Sequence, residues 1–203
     1  MERHLLPFTR SIPERTISSP NFCLLEFASI RAMPATIRDA TAADAAACAA
    51  LYTHYVLETA VSFETEPPTA GDMAQRIAAA QERHVWLVAE HDGEVTGYAY
   101  AGSWRSRAAY HRTAETSVYL AQSATGRGLG AALYKALLQR LGQLGFRTVV
   151  AGMTVPNPAS ERLHTALGFT PVGVFRRVGW KHGVLHDVSW MQLDLPAGTG
   201  ETG

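Results

Sequence analysis

Cysteine is scarce in this chain. The 203 residues contain two, Cys23 and Cys48, with no C-x-x-C spacing, which argues against a disulfide framework or a thiolate metal site and fits a reducing, cytoplasmic setting. Charge of one sign is missing as well. Lys and Arg together number 18, as do Asp and Glu, so no net field favours nucleic acid and an anionic ligand needs a local site. No apolar run approaches the roughly 20 residues of a membrane span, and the polar, Pro-interrupted N-terminus lacks a signal-peptide apolar core. The one cluster of candidate metal ligands does not lie on one helix face, so no metal is expected. His182, His186 and Asp187 cluster, but across a turn and a strand. What is present is 47% hydrophobic residues, enough for one ordinary packed domain.

Residues Met1 to Ala32 mix Pro, Ser and Arg without a sustained period and read as a poorly ordered extension, with Met33-Pro34 as an alternative start; residues 197–203 read as a frayed tail. Between them, residues 33–196 form one domain of alternating elements. A strand at Thr36 to Arg38 precedes an Ala-rich helix from Asp44 to about Thr59, signalled by Thr41 with Asp44 three residues on. Thr69 caps a second helix running to Ala80. The segments VWLVAE and EVTGYAYAGSW form a hairpin about Asp92-Gly93. A strand from Thr113 to Leu120 leads through a glycine loop into a helix, Gly128 to Leu144, ended by Gly145. The strand TVVAGMT, a helix from near Pro158 to Gly168, and two strands, Pro171 to Lys181 and Val184 to Leu195, complete the chain. Trp180, Trp190 and Met191 are expected in the core or in a subunit contact. The class is α/β, with a mostly antiparallel sheet.

The most informative segment is Thr125-Gly126-Arg127-Gly128-Leu129-Gly130, between a strand and a helix. Alternate glycines let backbone N–H groups converge, and the helix adds its positive end, so the loop suits a phosphate or pyrophosphate, with Arg127 as a countercharge. A tight turn with no ligand is the competing reading. The spacing is neither a Walker loop, which needs Lys-Ser or Lys-Thr after the last glycine, nor the dinucleotide G-x-G-x-x-G.

This loop, followed by helix, strand and then Asn157-Pro158-Ala159-Ser160 through Leu163-His164-Thr165-Ala166-Leu167-Gly168-Phe169, resembles the GNAT superfamily of acetyl-CoA-dependent N-acetyltransferases. Within it, FETEPPT (63–69), GSWRSRAAY (102–110), AETSVYL (114–120) and KHGVLHDVSWMQLDLP (181–196) are similar to the phosphinothricin and methionine sulfone acetyltransferase branch. The resemblance spans about 35–196. It implies a twisted, mostly antiparallel sheet of about seven strands flanked by about four helices, and acetyl transfer to a small amino-acid-like amine. It also implies that backbone amides of Arg127, Gly128, Leu129 and Gly130 hold the coenzyme A pyrophosphate, with pantetheine beside Val118, Tyr119 and Leu120. The family loop usually begins with Arg or Gln, whereas this chain has Thr125. A homodimer is implied too, with no nucleic-acid or membrane partner.

Acetyl transfer requires an amine that is protonated near neutrality to lose a proton before it attacks the thioester. By the resemblance, Glu115 is the general base, the alternative being a surface carboxylate paired with Arg112. His164 occupies the position where many superfamily members carry a tyrosine acid. It either donates a proton, contacts the cofactor, or packs beside Leu167. Asn157 bonds pantetheine, caps its helix, or both. For the acceptor the candidates are Phe63, Arg107 and Tyr110, with Arg105 less well matched; surface arginines and core aromatics are the alternative. Rival functions are acetylation of a peptide or protein amine, and a non-catalytic acetyl-CoA-binding module.

Overall fold

The computed structural model describes residues 35–196; the expected extension and tail lie outside them. One seven-stranded sheet runs in the order β1-β2-β3-β4-β5-β7-β6. Its strands are β1 (Thr36–Asp39), β2 (Trp86–His91), β3 (Glu94–Ser103), β4 (Thr113–Leu120), β5 (Thr148–Val155), β6 (Thr170–Lys181) and β7 (Val184–Asp194), with helices α1 (Ala45–Glu58), α2 (Ala70–Gln81), α3 (Leu129–Gln143) and α4 (Pro158–Ala166). Every neighbouring pair is antiparallel except β4 and β5. The sequence expectation of a mostly antiparallel α/β sheet therefore holds. Element ends differ by a residue or two, as at α1, which follows a short 3-10 turn over Ala42–Asp44.

Local chemistry sets these elements. The β2–β3 and β6–β7 hairpins turn on Asp92-Gly93 and His182-Gly183, with all four residues at positive φ, the conformation a two-residue primed turn requires. Thr41 donates its N–H and its hydroxyl to the Asp44 carboxylate at 2.7 and 3.0 Å, and Thr69 does the same with Asp72 while accepting the Asp72 N–H.

Strand alternation separates two cores. Leu87, Ala89, Ala99, Val149, Ala151 and Met191 meet the Leu129-Leu133-Leu137-Leu141 stripe of α3, with Phe169 beyond α4, on one face. Trp86, Val88, Tyr98 and Tyr119 meet Cys48, Tyr52 and Val56 of α1 and Met73 and Ile77 of α2 on the other. Helices α1 and α2 cover only β2 to β4. On that face neither helix covers β5, β7 and β6; the loop after α1 packs on part of it, and β6 is exposed over most of its length. Met191 is buried as expected, but Trp180 is 65% exposed because it stands on this uncovered edge strand.

Candidate active site

The parallel pairing of β4 with β5 spans only Thr113 to Glu115, while β4 stays paired with β3 through Leu120. Beyond Glu115 the two strands part. Ala121 donates its N–H to Thr96 O at 2.8 Å, and the alternation of an antiparallel ladder then turns the N–H and C=O of Val118 away from β3, into the gap. Leu120 faces the gap too, but Tyr55 of α1 takes it: the Tyr55 hydroxyl donates to Leu120 O at 2.7 Å and accepts Leu120 N–H at 3.2 Å. The Tyr119 side chain turns to the other core, among Tyr52, Tyr55 and Tyr98.

A cavity of about 50 Å³ lies in the gap, lined by Thr116, Val118, Tyr134, Asn157, Ser160 and His164 among others. His164 is 4% exposed. Its Nδ1 lies 2.8 Å from Ser160 O, a group that can only accept, so the ring donates there and Nε2 is the acceptor in the neutral tautomer. Nε2 meets the Tyr134 hydroxyl at 2.9 Å, which in turn meets the Thr116 hydroxyl at 2.6 Å. Burial holds the His164 pKa below its ordinary value and raises that of Tyr134. Tyr134, Thr116 and Ser160 were not anticipated. A tyrosine within an apolar helix reads as core, and only its lone polar atom hinted at a buried partner. Asn157 caps α4, its Oδ1 accepting Ser160 N–H at 3.1 Å, and its side chain also borders the cavity.

Leading into α3, Gly126 and Gly128 have φ of 72° and 79°, where a side chain is disfavoured. Gly128 is the N-cap, so the N–H groups following it lack helical partners. With the free backbone of Val118, these donors suit the diphosphate and the amide-rich arm of coenzyme A. The Thr125 hydroxyl donates to Gln122 O at 2.8 Å and so braces the turn instead of reaching forward. Arg127 is exposed beside the loop.

Glu115 stands where β4 and β5 part, half-buried, opposite Gly102 on β3 and Val150 on β5. Burial raises its pKa and the Arg105 guanidinium opposes the shift. Arg105 also lies 4.9 Å over the Trp104 ring, against whose edge Tyr110 packs at 5.1 Å. Arg105 and Tyr110 line a cavity of about 520 Å³ with Val150, Phe175 and Trp190. Arg107 borders an adjoining hollow of about 400 Å³ that shares Arg105, Tyr110 and Thr113 with the first. Phe63 lines neither; it lies along the same open face against Gly179 and His186. Asp187 accepts the Arg177 N–H at 2.7 Å, and His186 Nε2 meets Lys181 O at 3.2 Å. Among the described residues no three His, Cys, Asp or Glu side chains come together to hold a metal.

The family model of the acetyltransferase (GNAT) domain matches residues 37–190. The chain is 46% identical over 166 residues to a phosphinothricin N-acetyltransferase of Streptomyces viridochromogenes, covering 81% of this chain and 91% of that one. It is 40% identical over 164 residues to an L-methionine sulfoximine/L-methionine sulfone acetyltransferase of Salmonella typhimurium, covering 79% and 94%. The crystal structure of a GNAT phosphinothricin acetyltransferase from Sinorhizobium meliloti in complex with acetyl-CoA superposes with a TM-score of 0.79 at 39% identity, over 84% of this chain and 93% of that one. With a parted pair of strands, a glycine-opened helix and these relatives, the chain belongs to the GNAT acetyltransferase family and is an N-acetyltransferase.

Proposed function

We propose that the chain transfers an acetyl group from acetyl-CoA to the amino group of a small amino-acid-like acceptor of the phosphinothricin, methionine sulfone or methionine sulfoximine type. Acetyl-CoA supplies the thioester. The backbone of Arg127 to Gly130 holds its diphosphate, and the open backbone of Val118 aligns its arm, with Asn157 at the cavity wall. Glu115 takes the ammonium proton, directly or through water, so that the nitrogen lone pair can attack the thioester carbonyl. The Val118 N–H is the donor for the carbonyl oxygen as charge builds on it. Carbonyl re-formation expels the thiolate, whose thiol pKa of about 8.5 makes a protein acid dispensable. Neutral His164, accepting from Tyr134, therefore orders the cavity without having to give up a proton. Tyr110 and Arg107 hold the polar groups of the acceptor, and Phe63 forms an apolar wall.

The observation that carries this reading is Glu115, a half-buried carboxylate with a raised pKa at the mouth of the strand gap. The test is coenzyme A release, read with a thiol reagent, across phosphinothricin, methionine sulfone, methionine sulfoximine, ordinary amino acids and peptides. Turnover on the first three, reduced about 10²–10⁴-fold by Glu115→Gln, supports it. Turnover confined to peptides overturns the acceptor class, and acetyl-CoA binding without turnover overturns catalysis.

A second copy is proposed to pair with the β6 edge. There Val172, Val174, Phe175, Val178 and Trp180, on the two faces of an unpaired edge strand, are each more than half exposed, an arrangement that stays soluble when paired. A dimer mass in light scattering, reduced to a monomer by Val178→Glu, is the expected result. We place the reaction in the cytoplasm, where acetyl-CoA is supplied.

A further inference from the structure

We propose that Gly179 and Lys181 of β6 are positioning residues that set acceptor affinity by fixing Phe63; this rests on the reading that Phe63 lines the acceptor pocket. Phe63 sits in an irregular loop, 59–69, with no ladder to hold it, yet its neighbours are held from three directions. Thr154 donates to Ala60 O at 2.6 Å. Lys181, 3% exposed, directs its ammonium at Ser62 O, 2.5 Å away, and at Tyr55 O, 3.5 Å away. Arg76 grips both Glu64 oxygens at 2.8 and 2.9 Å.

The ring then rests on bare backbone. A Cβ built on Gly179 falls 2.0 Å from Phe63 Cζ and 2.4 and 2.5 Å from the two Cε atoms, separations no side chain tolerates. Any residue but glycine at 179 must push the ring off β6. The strand reaches the ring through a bulge: Arg176, Arg177 and Val178 stand opposite the single Asp187, with Arg177 at φ 53° and its N–H on the Asp187 carboxylate. One face of the ring is thus fixed, and its 39% exposure leaves the remainder free to meet a ligand.

The experiment is a double-mutant cycle on Phe63→Ala, Gly179→Ala and Lys181→Met, using the acceptor of the panel above with the highest kcat/KM. Each of Phe63→Ala and Gly179→Ala is expected to raise the acceptor KM about tenfold while the acetyl-CoA KM stays within about twofold. In the Phe63→Ala background, Gly179→Ala and Lys181→Met are expected to add nothing, because the ring through which they act is gone. An undiminished cost in that background, or equal rises in both KM values, overturns the proposal and leaves a general role in β6 folding. Lys181→Met carries the same test should Gly179→Ala not fold, and an unchanged acceptor KM for it in the otherwise native enzyme also overturns the proposal. If Phe63→Ala leaves the acceptor KM unchanged, the placement of Phe63 in the pocket fails first, and the positioning inference fails with it.

Discussion

Replacing Tyr134 by Phe removes one oxygen and keeps the ring. In the native protein that oxygen joins the Thr116 hydroxyl at 2.6 Å to His164 Nε2 at 2.9 Å, with Tyr134 0%, Thr116 3% and His164 4% exposed. Each hydrogen bond contributes about 1 kcal/mol net, and a buried acceptor left without a donor costs about 1–3 kcal/mol more. Thr116 keeps a fallback, Val150 O at 3.4 Å; His164 Nε2 does not. The expected loss is about 2–4 kcal/mol in urea-induced unfolding, or about 4–16 °C in Tm for a domain of this size. Thr116→Val alone should cost about 1–2 kcal/mol, but almost nothing in the Tyr134→Phe background, since the two hydroxyls satisfy each other. A Tyr134→Phe loss below about 0.5 kcal/mol, or full additivity with Thr116→Val, would refute the buried relay.

Three further outcomes follow from described contacts. Because burial raises the Glu115 pKa and Arg105 lowers it, kcat should rise with pH along a limb above the ordinary glutamate range; Arg105→Ala should move that limb to higher pH, and a move to lower pH would contradict the assignment. Asp44, bound by Arg38 through two 2.8 Å bonds, has its pKa lowered to about 2. Its stabilisation is therefore present in full above the unfolded value near 4 and is lost as pH falls through about 2; Asp44→Asn should cost about 1–2 kcal/mol at pH 7 and less than about 0.5 kcal/mol at pH 2, as read by denaturant titration at both. Thr125→Ala should change the acetyl-CoA Kd less than about threefold, since its hydroxyl serves Gln122 O, whereas Gly128→Ala, at φ 79°, should weaken it about tenfold by calorimetry.

Much of this molecule is legible from local pattern. The capping pair Thr41 and Asp44, the turns at Asp92-Gly93 and His182-Gly183, and the glycine-opened α3 each act within a few residues, so sequence and structure agree on them. What escapes the sequence joins distant positions. Tyr55 closes the backbone of Leu120, 65 residues away, although on the helix it reads only as a bulky face. Lys181 sits beside a turn, and nothing local marks its ammonium as buried on a carbonyl 119 residues away. The bulge at 176–178 interrupts what reads as a continuous strand; the adjacent Arg176 and Arg177 were the one local hint, since they break the alternation. Of the candidate site residues, Glu115, Val118, Asn157 and His164 converge on the strand gap. Phe63 and Arg107 lie apart from it, because their loops are placed by contacts that periodicity does not encode.

The loop around Phe63 is fastened through the Ser62 and Glu64 side chains and through the main-chain oxygens of Ala60 and Ser62, none of them at position 63. The fastening does not depend on what side chain occupies that position. With Phe63 in the proposed acceptor pocket, acceptor preference can therefore drift, or be redesigned, by exchanging that one side chain, while the strand gap and the glycine loop keep the structure they already have.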